Sequence, residues 1–306
     1  MQGGQPLSKL SFDERAERII ANYLKDFKYE FSKLAVKPDY LQSLLFELEN
    51  QIKFYSLKHA IKGGSKTVEE VDVAKTLKKF GSPNELVKQI FKDAKSFDKK
   101  QGAFFKILEL LENFLGSANP IVLDAGCGWG RFILRLQKHC SKNFEMVGVD
   151  VDDISLKYGK ELNKSLEVIR SKVEHLPLRD SIVDVILCSG VIHEIKTFSG
   201  RKAVIEEFRR VLKSGGVLCI VDAFSTNRIV DVLTRVLQHV TSKIEWFFVK
   251  SALERILKEN MFKTMGLFEI ESRVLGTIKV LTIMLTKLTM LRAVEMSVIM
   301  DHSPTS

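Results

Sequence analysis

An α/β fold is what this sequence predicts: a mostly parallel sheet with helices on both faces and an antiparallel terminal strand, preceded by an all-helical N-terminal domain. Three observations carry the prediction. From Pro120 onward, short runs rich in Val and Ile recur at 121–123, 146–149, 166–169, 183–187 and 217–221, with helical patterns between most of them. Such alternation marks parallel strands joined by crossover helices. Over residues 8–96 the apolar residues recur only at three and four, the helical period. Finally, "VLDAGCGWGRF" at 122–132 sets Gly126, Gly128 and Gly130 between a strand end and a helix start. The expected domains are 1–100, helical, and 101–306, the sheet domain, with a helical insertion around 224–264.

The helical part divides at its caps. Ser11 followed by Glu14 reads as a capping box. Behind it Ile19, Ile20, Tyr23, Leu24, Phe27, Phe31 and Leu34 form one stripe. Pro38 opens a second helix, with Leu41, Leu44, Leu45, Leu48, Ile52 and Tyr55 inward, and Gly63 and Gly64 end it. Thr67 with Glu70 reads as another box, leading through Val71, Ala74 and Leu77 to Gly81. In "GSPNELVKQIF", Gly81 stops one helix, Ser82 caps the next, Pro83 takes its first turn and Glu85 closes the box. This "GSP-x-E-hydrophobic" step resembles the small helical signalling modules of some bacterial membrane and transcription-regulator systems, over roughly residues 11–95. The alternative is a plain helical cap on the following domain.

Residues 96–103, "SFDKKQGA", are polar and read as a hinge, and 104–115 reads as an apolar helix of the second domain. The runs at 267–275 and 278–287, joined by Gly276 and Thr277, read as a hairpin that supplies the antiparallel strand.

The totals describe a chain of 306 residues, 45% hydrophobic and 28% charged, with a formal net charge of +9. Length and balance fit two globular domains. The lysines of the helical part (Lys75, Lys78, Lys79, Lys88, Lys92, Lys95, Lys99 and Lys100) lie mostly opposite the apolar stripe, either as a solvated face or as a hold for nucleic acid. Cys127, Cys140, Cys188 and Cys219 show neither CxxC nor metal-ligand spacing and read as reduced thiols of a cytoplasmic protein; no metal is expected. The N-terminus lacks a signal-peptide core, and the longest apolar stretch, 280–291, is broken by Lys287 and too short to span a bilayer.

Glycine weakens strands and helices alike, so three within five residues require a sharp turn or a ligand against the backbone. Ligands of open α/β sheets sit beyond the carboxyl ends of the strands, where a helix N-terminus offers free N–H groups. The third glycine comes one residue too early for the dinucleotide pattern, and the Lys–Ser/Thr pair of a P-loop is absent. "MVGVDVDD" ends its apolar run at Asp150, roughly 20 residues past the loop, where a carboxylate accepts both hydroxyls of a ribose. Asp152 or Asp153 is available to cap the next helix, which frees Asp150 for that task.

"VLDAGCGWGRF", "VGVD", "VEHLPLRDSIVDVILCSGVIHEI" and "EEFRRVLKSGGVLCIVD" follow one another at family-like intervals. Together they resemble the class I S-adenosylmethionine-dependent methyltransferases, a Rossmann-like family, and especially its quinone-biosynthesis branch, over roughly residues 104–290. The resemblance implies S-adenosylmethionine as cofactor. It implies that Asp124, Gly126, Gly128 and Gly130 hold the methionine part. Cys127, between two loop glycines, reads as a small filler beside the cofactor, set against a nucleophile. Asp150, with Val151 beside it, matches the ribose site; Val173 and Glu174 match the stretch facing adenine; Ser189 and Gly190 match the lining of the methionine end. One departure stands out: Lys172 occupies a place where the family commonly has an acid that accepts from the adenine amino group. "KSGG" at 213–216 matches a structural turn into the fifth strand.

Methyl transfer from a sulfonium needs in-line approach, and a base only if the acceptor atom must lose a proton. His193, in "SGVIHEI" after the fourth strand, is the candidate base or substrate partner, set against a packed structural histidine; Glu194 is a weaker candidate, and His175 is expected on the surface. In "KIEWFFVKSALERIL", read as a helix, Trp246, Phe247 and Phe248 either form a lid over a lipophilic pocket or lie in a helix buried on two sides. The expected acceptor is a small or lipophilic molecule. Two alternatives remain: methylation of RNA or protein using the basic helices, and a non-catalytic protein that binds partners through its N-terminal helices. "CSGV" stands where amino-group methylators of bases and glutamines carry an Asn/Asp-Pro-Pro-Tyr/Phe motif, which weighs against that route.

Overall fold

The computed structural model describes residues 11–33, 38–92, 108–109, 112, 119–195, 197–225, 248–271 and 278–287. The chain separates into two compact units, Met1–Asp98 and Lys99–Ser306.

The first unit carries α1 (Glu14–Ser32), α2 (Pro38–Lys62), α3 (Glu70–Phe80) and α4 (Pro83–Lys92). The stripe of α1 is buried as its spacing predicts, with Ile20, Phe27 and Phe31 at 1% exposure or less. Gly81 ends α3 at φ 75°, Ser82 accepts from the Glu85 amide, and Glu85 accepts in return from the Ser82 amide at 2.9 Å.

Four details differ from the sequence expectation. The unit is not all helical: β1 (Ser11–Phe12) and β2 (Thr67–Val68) pair in parallel. Ser11 and Thr67 are thereby spent on strands. The caps move inward to Asp13, which accepts from the Ala16 amide at 2.6 Å, and to Glu69, whose amide donates to Asp72 in the helix's first turn at 3.2 Å. On α2, Tyr55 turns outward and its neighbour Phe54 turns in. On α3, Val71 and Ala74 are exposed, and Val73 with the hydroxyl-paired Thr76 lies inside.

The second unit is built on β3 (Ile121–Ala125), β4 (Glu145–Asp150), β5 (Glu167–Arg170), β6 (Val183–Ser189), β7 (Leu212–Ser225), β8 (Phe248–Val249), β9 (Phe262–Glu271) and β10 (Ile278–Lys287). The sheet order is β5-β4-β3-β6-β7-β10-β9, with β8 on β7. Pairs among β3 to β7 are parallel, and β10 is antiparallel to both β7 and β9. This is a Rossmann-like sheet with the antiparallel strand last in sequence and second from the edge. Side chains alternate between two apolar layers. Leu123, Ile186 and Leu218 pack on one face, under α7 (Phe198–Val211) and α8 (Lys250–Glu259). Val122, Val185 and Val217 pack on the other, with Ile133 and Leu136 of α5 (Arg131–His139). Leu108, from the helix expected at 104–115, joins this second layer; the remaining helix, α6, spans Asp153–Leu162.

Two expectations change here. "KSGG" is an excursion within β7, not a turn before it: pairing shifts from Val183 with Leu212 to Val185 with Val217. A Cβ on Gly216 would lie 2.9 Å from the Asp184 carbonyl oxygen, so the glycine is required sterically. In the insertion expected around 224–264, Phe248 is in a strand and the helix starts only at Lys250. Leu253, Ile256 and Leu257 of that helix belong to the domain core. Trp246, Phe247 and the apolar helix expected near Ile229 lie outside the described residues.

Candidate functional site

β3 and β4 run side by side in parallel register, so the glycine loop and Asp150 emerge together at the carboxyl end of the sheet. The amides of Gly126 and Cys127 donate to the Val149 carbonyl at 2.7 and 3.0 Å and tie the loop to β4. Asp150 then receives the Gly128 amide on Oδ2 at 2.7 Å and the Asp152 amide on Oδ1 at 2.9 Å. A carboxylate has about four lone-pair sites, so two remain to meet a ligand's hydroxyls. Asp152 does the helix capping, accepting from the Ile154 amide at 3.2 Å.

Each loop glycine has its own reason. Gly126 has φ 75° and a Cβ there would overlap Val191. Gly130 has φ 81°, N-caps α5, and would press its Cβ to 2.9 Å from Leu166. Gly128, at φ 54°, has nothing within 4 Å of where a Cβ would stand, and it lines a cavity. Turn, close packing and open approach to a ligand are thus divided among three positions.

The cavity measures about 690 Å³, within the range of small-molecule sites. The glycine loop and Asp150 form its middle. At one end stand Val151, 57% exposed, and the segment Ser171, Lys172, Val173 and Glu174. At the other stand Gly190, Val191, Glu194, Ile195, Thr197 and Gly200. Arg131, the first residue of α5, also lines it. Of the residues expected at the cofactor, Ser189 is within β6 and off the cavity wall, where Gly190 and Val191 stand instead. Asp124 is buried beneath the loop, also off the wall. Burial pushes its carboxyl up to about 7; the Ile133 amide and Arg131 pull it down, and Asp150 repels it further. Its Oδ2 has no hydrogen-bond partner among the protein atoms. Cys127 lines the cavity, but its Sγ sits where Gly148 leaves room, 2.8 Å from a Cβ placed there. Burial raises that thiol far above its ordinary value, which disfavours the thiolate a nucleophile would need.

His193 lies in a 3-10 turn, Ile192–Glu194, directly after β6. Its Nδ1 is 2.6 Å from Oδ1 of Asp222, and a Cβ on Gly190 would lie 3.8 Å from its Cε1. His175 is exposed, as expected.

Sequence reasoning missed several supports. Arg210 on α7 donates to the carbonyls of Leu176 and Leu178 and to Glu207, and Glu207 accepts from the Leu176 amide at 2.7 Å. This clamp holds the segment that presents Val173. Gly159 of α6 makes room for the Trp129 backbone, 2.7 Å from a Cβ placed there. Asp222 had a visible signal, because "CIVD" ends its apolar run in an acid just as "VGVD" does.

Residues 123–220 match the family described as a methyltransferase domain. A demethylmenaquinone methyltransferase of Thermotoga maritima is 31% identical over 130 residues, 42% of this chain and 51% of that protein. A tRNA (carboxymethyluridine(34)-5-O)-methyltransferase of Arabidopsis thaliana is 32% identical over 115 residues, 38% of this chain and 26% of that protein. The chain spans about half or less of the length of these relatives. Among solved structures, one from Galdieria sulphuraria, named as a sarcosine dimethylglycine methyltransferase, shares the fold with TM-score 0.52 and 14% identity, covering 62% of this chain and 86% of that one. The class I methyltransferase resemblance carried by the four motifs, which implies S-adenosylmethionine as cofactor, agrees with the family match.

Proposed function

We propose that this chain, whose residues 123–220 match a methyltransferase domain, transfers a methyl group from S-adenosylmethionine to a small or lipophilic acceptor. The observation that carries the reading is the open face of Gly128 over a cavity in which Asp150 is fixed by two amides. The ribose goes to Asp150, and the adenine to the end formed by Val151 and Val173. The amino-acid end goes to the loop, where the α5 N-terminus and Arg131 attract its carboxylate. The orphaned Oδ2 of Asp124, beneath the loop, supports a cationic group nearby. Bound there, the cofactor supplies an electrophilic methyl group. The chain positions the acceptor at the Gly190 end and excludes water with Val191 and Ile195. His193 is not itself among the lining residues; it stands beside Gly190 and takes up a proton where the acceptor has one to lose.

Residues 1–100 serve, in this reading, as a separate module that selects substrate or partner. The protein acts in the cytoplasm, which its four free thiols support. No helix among the described residues is long and apolar enough to cross a membrane.

Calorimetry tests the cofactor: S-adenosylmethionine and its demethylated product bind and NAD does not. NAD binding alone overturns the reading. A screen of metabolite and lipid extracts with methyl-labelled cofactor then finds the acceptor. An RNA acceptor is the second reading, favoured by the plant tRNA-methylating relative and by exposed Lys75, Lys78, Lys79 and Lys88. Retention on a polyanion that falls steeply with salt distinguishes it.

A further inference from the structure

Asp222 closes the apolar run of β7 and is 3% exposed. A carboxylate this deep must be paired, and it is. Oδ2 accepts from the amides of Ile192 at 2.7 Å and His193 at 3.3 Å, and Oδ1 faces Nδ1 of His193 at 2.6 Å. The Gly190 amide donates to the Val221 carbonyl at 2.8 Å, so the ends of β6 and β7 carry histidine and acid as one unit.

An ionised carboxylate only accepts hydrogen bonds. Facing Nδ1, it fixes the ring proton there and makes Nε2 the basic nitrogen. Cε1, the carbon between the two ring nitrogens, would lie 3.8 Å from a Cβ placed on Gly190, and Gly190 lines the cavity. The histidine ring therefore stands beside the residue that lines the acceptor end.

We propose that Asp222 is a positioning residue that holds His193 in the one tautomer able to deprotonate the methyl acceptor. The proposal rests on the reading of His193 given above and narrows the substrate class. The acceptor atom carries a proton that it must lose, as a hydroxyl, an ammonium or an acidic C–H does; a sulfide or tertiary amine needs no such pair. In the transfer, the pair of the acceptor X–H bond forms the X–CH3 bond, and its proton passes to Nε2. The pair of the broken methyl–sulfur bond stays on sulfur. The oriented base repeats the logic of a buried Asp holding a His in acyl-transfer enzymes.

A carboxylate that merely caps the 3-10 turn would make the same two amide contacts, and Asp222→Asn separates the roles. An asparagine oxygen still accepts from the Ile192 and His193 amides. Its amino group then faces Nδ1, which must become the acceptor, so the proton moves to Nε2. The test is nitrogen NMR of the His193 ring in the full chain, with His193→Gln to assign the signals. The wild type is expected to carry its proton on Nδ1 and Asp222→Asn to carry it on Nε2, with calorimetric affinity for S-adenosylmethionine within about twofold. Labelled methyl transfer into a metabolite and lipid extract is expected to fall by roughly 10²-fold or more, the size of a general-base contribution. An Nε2 proton in the wild type overturns the proposal without any variant, as does a tautomer unchanged by Asp222→Asn. A reversed tautomer with undiminished transfer overturns the base reading of His193, and loss of cofactor binding in the wild type overturns the methyltransferase reading itself.

Discussion

The Gly128 amide donates to Oδ2 of Asp150 at 2.7 Å, so the loop that meets the ligand and the acid that meets the ligand hold each other. Neither can be altered alone.

Asp150→Ala removes the acceptor of both the Gly128 and Asp152 amides along with the ribose contact. Charge-assisted hydrogen bonds contribute roughly 1.5–3 kcal/mol each. Cofactor affinity is expected to fall by about 10²-fold, read by calorimetry. The unfolding temperature of the cofactor-free protein is expected to fall as well, because the Gly128 and Asp152 amides lose their acceptor while Asp152 still caps α6.

Gly126→Ala and Gly128→Ala are expected to fail differently. At Gly126 the new methyl overlaps Val191 in a left-handed backbone, and the domain loses stability. At Gly128 nothing stands within 4 Å, so folding suffers only the left-handed penalty of about 1–2 kcal/mol. The methyl instead projects into the ligand's space. Thermal denaturation paired with cofactor titration reads the split. Equal loss of stability in both variants contradicts this division of roles.

Lys172→Asp is expected to tighten S-adenosylmethionine binding several-fold. Lys172 lines the cavity next to Val173 and offers only donors, as the adenine amino group also does. An aspartate turns donor against donor into a hydrogen bond. Unchanged or weaker binding would show that Lys172 stands clear of the base.

The sheet domain was legible because its strands are buried on both faces and read as unbroken apolar runs, and because glycine punctuation marks the loop so sharply. The helical caps were less legible: Ser11 and Thr67 have cap chemistry, yet the β1–β2 pairing claims both and passes the caps to Asp13 and Glu69. Tyr55 and Phe54 are adjacent aromatics on one helix, and periodicity cannot choose which of the two meets the core. At the site, the loop and Asp150 follow from local spacing. The Asp222–His193 contact joins residues 29 apart in sequence through strand order, and the Arg210 clamp reaches back more than thirty residues. Contacts of that kind are set by the sheet and leave little local trace.

Asp124→Asn provides a test that needs no substrate. Burial lifts the Asp124 carboxyl from 3.8 to about 7 in the folded protein. Unfolded, it ionises near its ordinary value of about 3.9. Below that pH both states hold the proton and the site costs nothing. Between about 4 and 7 the folded state binds the extra proton, so stability falls as pH rises. Above 7 both states are ionised and the full penalty persists. Asparagine keeps an oxygen for the Ile133 amide and carries no charge to bury. The melting temperature of Asp124→Asn should therefore match that of the wild type most closely near pH 4, rise above it progressively toward pH 7, and keep a constant lead at pH 8. A gap independent of pH would mean that Asp124 titrates near its ordinary value. A gap that closes with rising pH would mean that the buried charge is stabilised, with Arg131 and the Ile133 amide outweighing burial.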